Sequence, residues 1–359
     1  MKKIIIFLFA IFCWSVANAQ TDSTVSKLQI SVYADVYYGY DFGKSKNHER
    51  PSFLYNHNRT SEVNLNLGFI KATYTDDRVR ATLALMAGTY AQYNLAAEQG
   101  LLKNVYEANV GLKLNRKHNV WLDAGIFTSH IGFESAVSKD CWTLTRSLVA
   151  ENSPYYESGA KLSYTDKNDK LTLVALVLNG WQRIRRLEGN STPAFGTQIL
   201  YKPNKDFVFN YSTYLGNENT DSLKRWRFYN NIYFITKLTN KLSLISGFDL
   251  GLQETGDAVS SPFLWYSPTG ILRYQFNEKY AMAGRVEYYD DPNQVIIATT
   301  STNGFNCKGY SVNFDYAPSK LLAWRIEGRL LESTNKIFNR NQSSVNQNFS
   351  IVTSLAFSL

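Results

Sequence analysis

Apolar and polar residues alternate with a period of two along most of this chain, and that pattern limits the fold more than any other feature. In Leu28–Tyr40, apolar or aromatic side chains occupy every even position, while Gln, Ser and Asp are found among the odd ones. Similar alternation recurs along the chain, so the sequence predicts about 16 β-strands, with roughly 14 or 18 as alternatives. The further segments are Val63–Phe69, Val79–Thr89, Tyr106–Leu114, Val120–Thr128, Tyr156–Tyr164, Leu171–Val177, Phe195–Tyr201, Phe207–Leu215, Trp226–Phe234, Leu242–Leu252, Leu264–Phe276, Tyr280–Tyr288, Lys308–Tyr316, Leu322–Leu330 and Phe349–Leu359.

The connections between these segments alternate in length, which is the more specific signal. The tight connections carry Asn, Asp, Pro and Lys, as hairpin turns do; they are Asp76–Asp77, Asn115–Asn119, Asp166–Asp169, Pro203–Lys205, Thr239–Lys241, Asn277–Glu278 and Pro318–Lys320. The long connections are Asp41–Thr60, Ala91–Asn104, Ser129–Pro154, Gln182–Pro193, Gly216–Lys224, Thr255–Pro262, Asp291–Phe305 and Glu332–Ser344. Short periplasmic turns and long outer loops are typical of outer-membrane barrels. The sequence therefore predicts an all-β fold, a transmembrane antiparallel up-and-down β-barrel.

The first residues indicate export. Two lysines precede a short apolar run, Ile4–Phe12, and small residues follow at Ala17–Ala19, which is the three-part pattern of a secretory signal peptide. The apolar run is too short to span a bilayer as a helix. We expect residues 1–19 to be cleaved and residues 20–359 to form a single outer-membrane β-barrel domain.

Aromatic residues, 14% of the chain, bunch near the ends of the predicted strands, where amphipathic rings would meet the interfaces of the lipid bilayer. The last segment stays apolar at alternate positions up to Leu359. A final strand of this kind resembles the signal that the barrel-assembly machinery reads. Outer-membrane lipids and that machinery are therefore expected partners.

Several phrases resemble the putative β-barrel porin-2, or OmpL-like, family. They are Asn56–Arg59, Glu62–Leu67, Arg80–Leu83, Ala87–Tyr90, Glu107–Ala108, Asp123–Phe127, His130–Ser135 and Ser153–Gly159. The resemblance implies an outer-membrane porin of a Gram-negative bacterium. It carries over no substrate and no catalytic residue.

Parity with the apolar positions assigns more basic than acidic residues to the barrel interior. The basic set is Arg78, Arg80, Lys113, Lys161, Arg225, Arg227, Lys237, Arg273, Arg285, Arg325 and Arg329, and the acidic set is Asp35, Glu107, Asp123, Glu157, Asp249, Glu287, Asp315 and Glu327. A water-filled channel lined in this way would pass small hydrophilic solutes by diffusion, with a weak preference for anions. The alternative is that these charges pair and only solvate the wall.

The longest loop, Ser129–Pro154, is the third on the outer side. By analogy with general porins it is expected to fold inward and narrow the channel, although an exposed surface loop has equal weight. Loop carboxylates would then face wall arginines across a constriction. The pore-lining or constriction candidates are Arg78, Arg80, Glu134, Asp140, Glu151, Arg285, Glu287, Arg325, Glu327 and Arg329.

Two other classes of function remain open alternatives. An adhesin or structural barrel would have a plugged lumen, which a barrel of about 16 strands disfavours. A barrel hydrolase would need a catalytic histidine, and only His130, beside Ser129 and Glu134, is suggestive. We expect no catalytic residue, no cofactor, no metal site and no nucleic-acid partner. Cys141 and Cys307 are expected to be unpaired thiols, and a homotrimer is left open.

Overall fold

The computed structural model describes residues 27–256, 261–299 and 301–359. The signal peptide expected at residues 1–19 lies outside these ranges. Sixteen antiparallel strands form one closed barrel. They are β1 (Leu28–Asp41), β2 (Val63–Thr75), β3 (Val79–Ala87), β4 (Val105–Lys113), β5 (Asn119–Thr128), β6 (Tyr156–Thr165), β7 (Leu171–Leu178), β8 (Ala194–Asn204), β9 (Phe207–Asn217), β10 (Trp226–Lys237), β11 (Leu242–Gln253), β12 (Phe263–Gln275), β13 (Tyr280–Asp291), β14 (Phe305–Tyr316), β15 (Leu322–Glu332) and β18 (Gln347–Ser358).

Each barrel strand pairs with its neighbour in the sequence, and β1 closes the sheet by pairing with β18. That seam runs in register from Tyr33↔Ser358 to Asp41↔Ser350. A small hairpin, β16 (Phe338–Arg340) and β17 (Ser343–Val345), lies in the last long connection. Closure leaves no free sheet edge, so the backbone groups of the strands are paired along the barrel wall, apart from a few local interruptions.

Every predicted strand segment is a barrel strand, and the predicted fold class is confirmed. Strand β12 contains a proline, Pro268. Its ladder to β13 is continuous except beside Pro268, which has no N–H to donate, and there the Ser267 hydroxyl donates to the Tyr288 carbonyl at 2.7 Å. The loss of backbone pairing beside one proline does not end the strand, and pairing resumes at Thr269.

The long connections hold the few helical turns. Helix α1 (Thr89–Asn94) lies in the second loop and helix α2 (Leu148–Glu151) in the third, with short 3₁₀ turns at Gly100–Asn104, Ser138–Asp140 and Asp221–Leu223. Within the described ranges, no helix is long and apolar enough to cross a membrane. We call the two ends of the barrel the loop end and the turn end.

The outer wall of the barrel is apolar. Large side chains such as Val63, Ile70, Leu83 and Val110 point outward, and the last three are 63%, 55% and 62% exposed. A water-soluble monomer rarely leaves so wide an apolar surface uncovered. In a bilayer the acyl chains would cover it.

The barrel should fail to assemble when its last residues are removed. Deleting Phe357–Leu359 takes away the two backbone hydrogen bonds between Leu359 and Val32, both 2.9 Å, and the pairing of Ala34 with Phe357. Each backbone N–H or C=O group left unpaired in hydrocarbon costs on the order of several kcal/mol, as other buried polar groups without a hydrogen bond do. We expect the truncated protein to be degraded without forming the heat-modifiable species seen on gels. Leu359→Phe keeps the backbone and should fold normally. Normal amounts of folded truncated barrel would contradict this expectation.

Candidate functional site in the barrel lumen

The third loop (residues 129–155) enters the lumen from the loop end. Its two ends are adjacent, because the Ser129 N–H donates to the Tyr155 carbonyl at 3.0 Å. From there the chain turns inward, where the Gly132 N–H donates to Asn231 on β10 at 3.1 Å and Phe133 packs against Tyr233 with ring centres 5.8 Å apart. The loop is therefore attached to the inner wall and does not cover the outside of the barrel.

At mid-depth the backbone of the third loop is held by charged side chains of the wall. The Thr145 N–H donates to Glu327 on β15 and the Leu148 N–H donates to Glu287 on β13. Arg285 donates to the Thr143 hydroxyl at 2.8 Å. Wall side chains thus act as hydrogen-bonding partners for a loop that has no sheet of its own.

The third loop reaches almost to the turn end. The hydroxyls of Tyr33 on β1 and Ser138 are 2.9 Å apart, and Arg325 on β15 donates to the Cys141 carbonyl at 3.0 Å. Lys139 donates to the Ser358 hydroxyl on the last strand. The loop therefore crosses most of the depth of the lumen and touches both strands of the closing seam.

A buried ionic network ties this loop to β13, β14 and β15. Arg285 lies 3.1 Å from Glu287, 3.0 Å from Glu327 and 3.8 Å from Glu134 of the loop. Arg329 pairs with Glu287 at 2.7 Å. In a second group, Asp315 on β14 pairs with Arg325 at 2.7 Å and with Arg273 at 3.6 Å. The side chains that Arg285 joins are at most 2% exposed. Charges buried in this way neutralise one another instead of facing water.

The first loop (residues 42–62) also folds inward and locks onto the third. His57 Nε2 lies 2.9 Å from the carboxylate of Asp35 on β1, and both side chains are fully buried. The Glu151 carboxylate accepts hydrogen bonds from the backbone N–H groups of Tyr55 and Asn56, at 2.9 and 3.0 Å. Burial raises the pKa of the Glu151 carboxyl group. The two loops pack together as one body inside the barrel.

The opposite side of the lumen, near the turn end, is less filled. There β2 to β6 present Lys71, Arg80, Lys113 and Lys161, a set that we call the basic wall, and each of these side chains remains partly exposed. Lys71 pairs with Glu107 and Arg80 with Asp123, each at 2.6 Å. Lys113 and Lys161 have no carboxylate within 4 Å in the part of the chain that the structure describes.

Aromatic rings line the basic wall between the charges. The Arg80 guanidinium lies 4.4 Å from the centre of the Trp121 ring, and the Lys161 ammonium lies 4.6 Å from that of Phe127. A cation over an aromatic face is attracted to the ring without losing its charge. The cations of the wall are thus held in place and still face the lumen.

The structure brings seven of the ten candidate residues into the packed region. These are Glu134, Glu151, Arg285, Glu287, Arg325, Glu327 and Arg329, all buried. Arg80 belongs to the basic wall. Arg78 lies exposed in the turn between β2 and β3, and Asp140 is exposed near the turn end of the third loop.

Sequence reasoning missed two features of the lumen. Lys71 lies beyond the predicted end of its strand, although the alternation of Ile70, Ala72 and Tyr74 continues there and could have revealed it. The pairing of His57 with Asp35 joins a loop to a strand, and no spacing in the sequence indicates such a contact.

The structure also places the residues considered for hydrolysis, disulfide formation and metal binding. His130 contacts Glu157 at 2.9 Å and not Glu134, and the Ser129 hydroxyl donates to Glu157 at 3.1 Å. Cys141 and Cys307 are free and buried. The described residues contain no group of His, Cys, Asp and Glu side chains suited to hold a metal ion.

A closed 16-stranded antiparallel barrel with an apolar outer wall and a polar interior defines the porin class of outer-membrane proteins. The family model described as putative beta-barrel porin-2, OmpL-like, matches residues 27–359, and the chain belongs to that family. It is a multi-pass β-barrel of the outer membrane, so its turn end faces the periplasm. No curated protein sequence matches the chain.

Solved outer-membrane porins share the fold. The channel DcaP of Acinetobacter baumannii superposes with a TM-score of 0.60 at 10% identity, covering 94% of this chain and 100% of its own. An anion-selective porin from Comamonas acidovorans gives 0.59 at 8% identity, covering 92% and 99%. OmpT of Vibrio cholerae, in a trimer form, gives 0.55 at 11% identity, covering 93% and 100%. Likeness at such low identity shows the fold alone.

The third loop should loosen when the network loses its central arginine. Arg285→Met leaves three buried carboxylates, Glu134, Glu287 and Glu327, without their shared cation. Removing one partner of a buried ion pair costs about 3–5 kcal/mol. We expect the folded barrel to lose its heat-modifiable mobility at a lower temperature and the third loop to be cleaved faster by protease. Arg340→Met, in the exposed hairpin of the last loop, is the matched control. Equal behaviour of the two variants would show that the network does not hold the loop.

Proposed function

We propose that this porin passes small hydrophilic solutes along the basic wall, while the first and third loops fill the rest of the lumen. The uneven burial of inward-facing residues carries this proposal. Asp249, Arg285 and Asn313, on β11, β13 and β14, are at most 3% exposed. The side chains of Arg80 and Lys71, on the other side of the lumen, are 34% and 28% exposed. Water and solute have more room beside the second group.

A weak preference for anions follows from the charges along this path. The basic wall consists of four cations, Lys71, Arg80, Lys113 and Lys161. Lys71 is paired with Glu107 and Arg80 with Asp123. Two cations therefore remain without an ion pair within the described ranges. Rings or rows of unpaired cations favour anions where a pore is narrow. This preference should be strongest at low salt, where screening is weak.

The second candidate is a plugged structural barrel, and the tight packing of the two loops favours it. Buried side chains from both loops pack against the inner wall, among them Phe53, Leu54, Ile131 and Leu148. In that case the folded protein would show no conductance in a planar bilayer. Steady single-channel currents from the unmodified protein would favour the porin proposal.

We also propose that the protein is not an enzyme and that it assembles as a homotrimer in outer-membrane lipids. The Ser129 hydroxyl bonds to Glu157 and not to His130, so these two residues do not form the Ser–His pair of a hydrolase. One porin of the same fold has been solved in a trimer form. Lipase and protease assays on folded barrel test the first statement, and cross-linking in native membranes tests the second.

Neutralising the two unpaired lysines should reduce the preference for anions. An unpaired charge about 4 Å from a passing ion contributes about 1 kcal/mol in water, which corresponds to roughly a fivefold change in relative permeability. In Lys113→Gln/Lys161→Gln we expect the reversal potential in a salt gradient to move toward the cation-selective value, more strongly at low salt. Arg78→Gln/Arg80→Gln should move it in the same direction.

The matched control is Arg116→Gln/Lys117→Gln, which removes two cations from an exposed turn and leaves the wall intact. Its reversal potential should stay near that of the unmodified barrel. If the wall variants and this control shifted equally, the selectivity would arise from overall charge and not from the basic wall.

Shortening the third loop should widen the channel. Because Ser129 and Tyr155 are hydrogen-bonded neighbours at the rim, Ile131–Ser153 can be replaced with a short Gly–Ser linker without pulling β5 and β6 apart. We expect a higher single-channel conductance, and a smaller internal deletion of Lys139–Glu151 should act in the same direction. Unchanged conductance in barrels shown to be folded would mean that this loop does not restrict the pore.

A further inference from the structure

A cavity of about 230 Å³ with a largely polar lining lies at the loop end, where five loops meet. The seventh loop contributes Val295 and Ile296 to its lining. Asn94 from the second loop, Glu151 and Asn152 from the third, and Gln182 and Arg183 from the fourth line it, together with Arg227 of β10. Tyr55, of the first loop, also lines it. The cavity lies on the outer side of the packed loops, where a solute from outside the cell would arrive first.

One side of this cavity has polar atoms that lack partners. Glu151 is 2% exposed, and its Oε2 atom accepts all of the hydrogen bonds described above, whereas Oε1 has no partner among the described residues. Asn94 is 5% exposed, and within the same ranges neither atom of its side-chain amide is bonded. A buried polar group without a partner costs about 1–3 kcal/mol. A carboxylate oxygen and an amide in this condition are suited to a ligand that donates hydrogen bonds.

The other side of the cavity is cationic. Arg227 is 8% exposed, and its Nε donates to Gln253 at 3.0 Å, which leaves the rest of the guanidinium for other contacts. It is held between Trp181 and Trp265, whose ring centres are 5.4 and 5.7 Å away. Neither Arg227 nor Arg183 has a carboxylate within 4 Å in the described part of the chain. Glu218 acts on Arg227 electrostatically from beyond that distance. Neither arginine has a direct ion pair in the described ranges, and both are suited to a carboxylate from a ligand.

We propose that this cavity binds a zwitterionic solute of amino-acid size, with the solute carboxylate at Arg183 and Arg227 and its ammonium group at Glu151 and Asn94. A zwitterion supplies a counter-charge for the two arginines and another for the Glu151 carboxylate, whereas a neutral sugar supplies neither. The size also fits. A volume of 230 Å³ equals that of about seven or eight waters at about 30 Å³ each, and small amino acids have a similar number of non-hydrogen atoms. The inference names a solute class for the porin and so rests on the proposed function.

Binding can be measured without conduction, by calorimetric titration of the folded full-length barrel in detergent. The probes are L-threonine, threonine amide without the carboxylate, N-acetyl-threonine without the ammonium group, and glucose. We expect saturable binding of L-threonine and at least tenfold weaker binding of the other three. Equal binding of glucose or of either blocked amino acid would overturn the zwitterion assignment, as would no binding of L-threonine.

Variants locate the site. Arg183→Gln should weaken L-threonine binding at least fivefold, since this side chain lines the cavity and no ion pair holds it elsewhere in the described ranges. Arg185→Gln, two positions away in the same loop and outside the cavity lining, should bind as the unmodified protein does. Glu151→Gln keeps an acceptor for the first loop and should weaken L-threonine binding without changing that of N-acetyl-threonine. Equal affinity in all three variants would overturn the proposed site.

The outcome also separates this inference from the proposed function. Binding without any bilayer conductance would reject the channel and leave the zwitterion site standing. Conductance without L-threonine binding would reject the zwitterion site alone.

Discussion

The pairing of β1 with β18 is the constraint on which the rest of the structure depends. A sheet in hydrocarbon cannot leave backbone N–H and C=O groups unpaired, because no water is present to take their place. Strands Leu28–Asp41 and Gln347–Ser358 come from opposite ends of the described chain, and their pairing removes both edges at once. Once the sheet is closed, the alternation of side chains divides the residues between lipid and lumen.

A barrel of 16 strands has an interior that is too wide for the side chains of the wall alone to fill. The first and third loops fill much of this space. Their backbone groups leave water when they enter the lumen and must find partners there. Wall carboxylates such as Glu287 and Glu327 accept hydrogen bonds from the third loop and balance Arg285 at the same time. These polar residues of the interior therefore hold the loops in place, whether or not they also select solutes.

The sequence was informative where one local rule decides the outcome. Outward positions must be apolar in lipid. Strands were therefore predictable even where the pattern is imperfect, as in Leu171–Leu178, which is apolar on both faces, and in Phe263–Gln275, which Pro268 interrupts. A β-bulge was not predictable in the same way. Between Asp35 and Val36 of β1 the register to β2 shifts, so that Asp35 faces Leu67 while Val36 faces Leu65, and Asn66 is the extra residue. The alternation of apolar and polar residues does not show where a strand contains one extra residue that is left out of the pairing.

The candidate site was less predictable, because its contacts join residues far apart in the chain. Parity placed Arg285 and Glu327 inside the barrel but could not show that they meet Glu134 of a loop. Whether an inward charge faces water or a counter-ion depends on where the loops come to rest, and that depends on packing over the whole lumen.

The uneven filling of the lumen links these features to transport. On the side of β13 to β15 the charges around Arg285 are paired and buried, so they stabilise the loops and offer a passing ion little net field. On the side of β2 to β6, Lys113 and Lys161 have no carboxylate partner within 4 Å in the described structure. A charge that is not neutralised acts on a solute over several ångströms, more so in a narrow, poorly screened space. We therefore propose that the few cations left unpaired by the packed loops govern the selectivity of this barrel, and not the total charge of the interior.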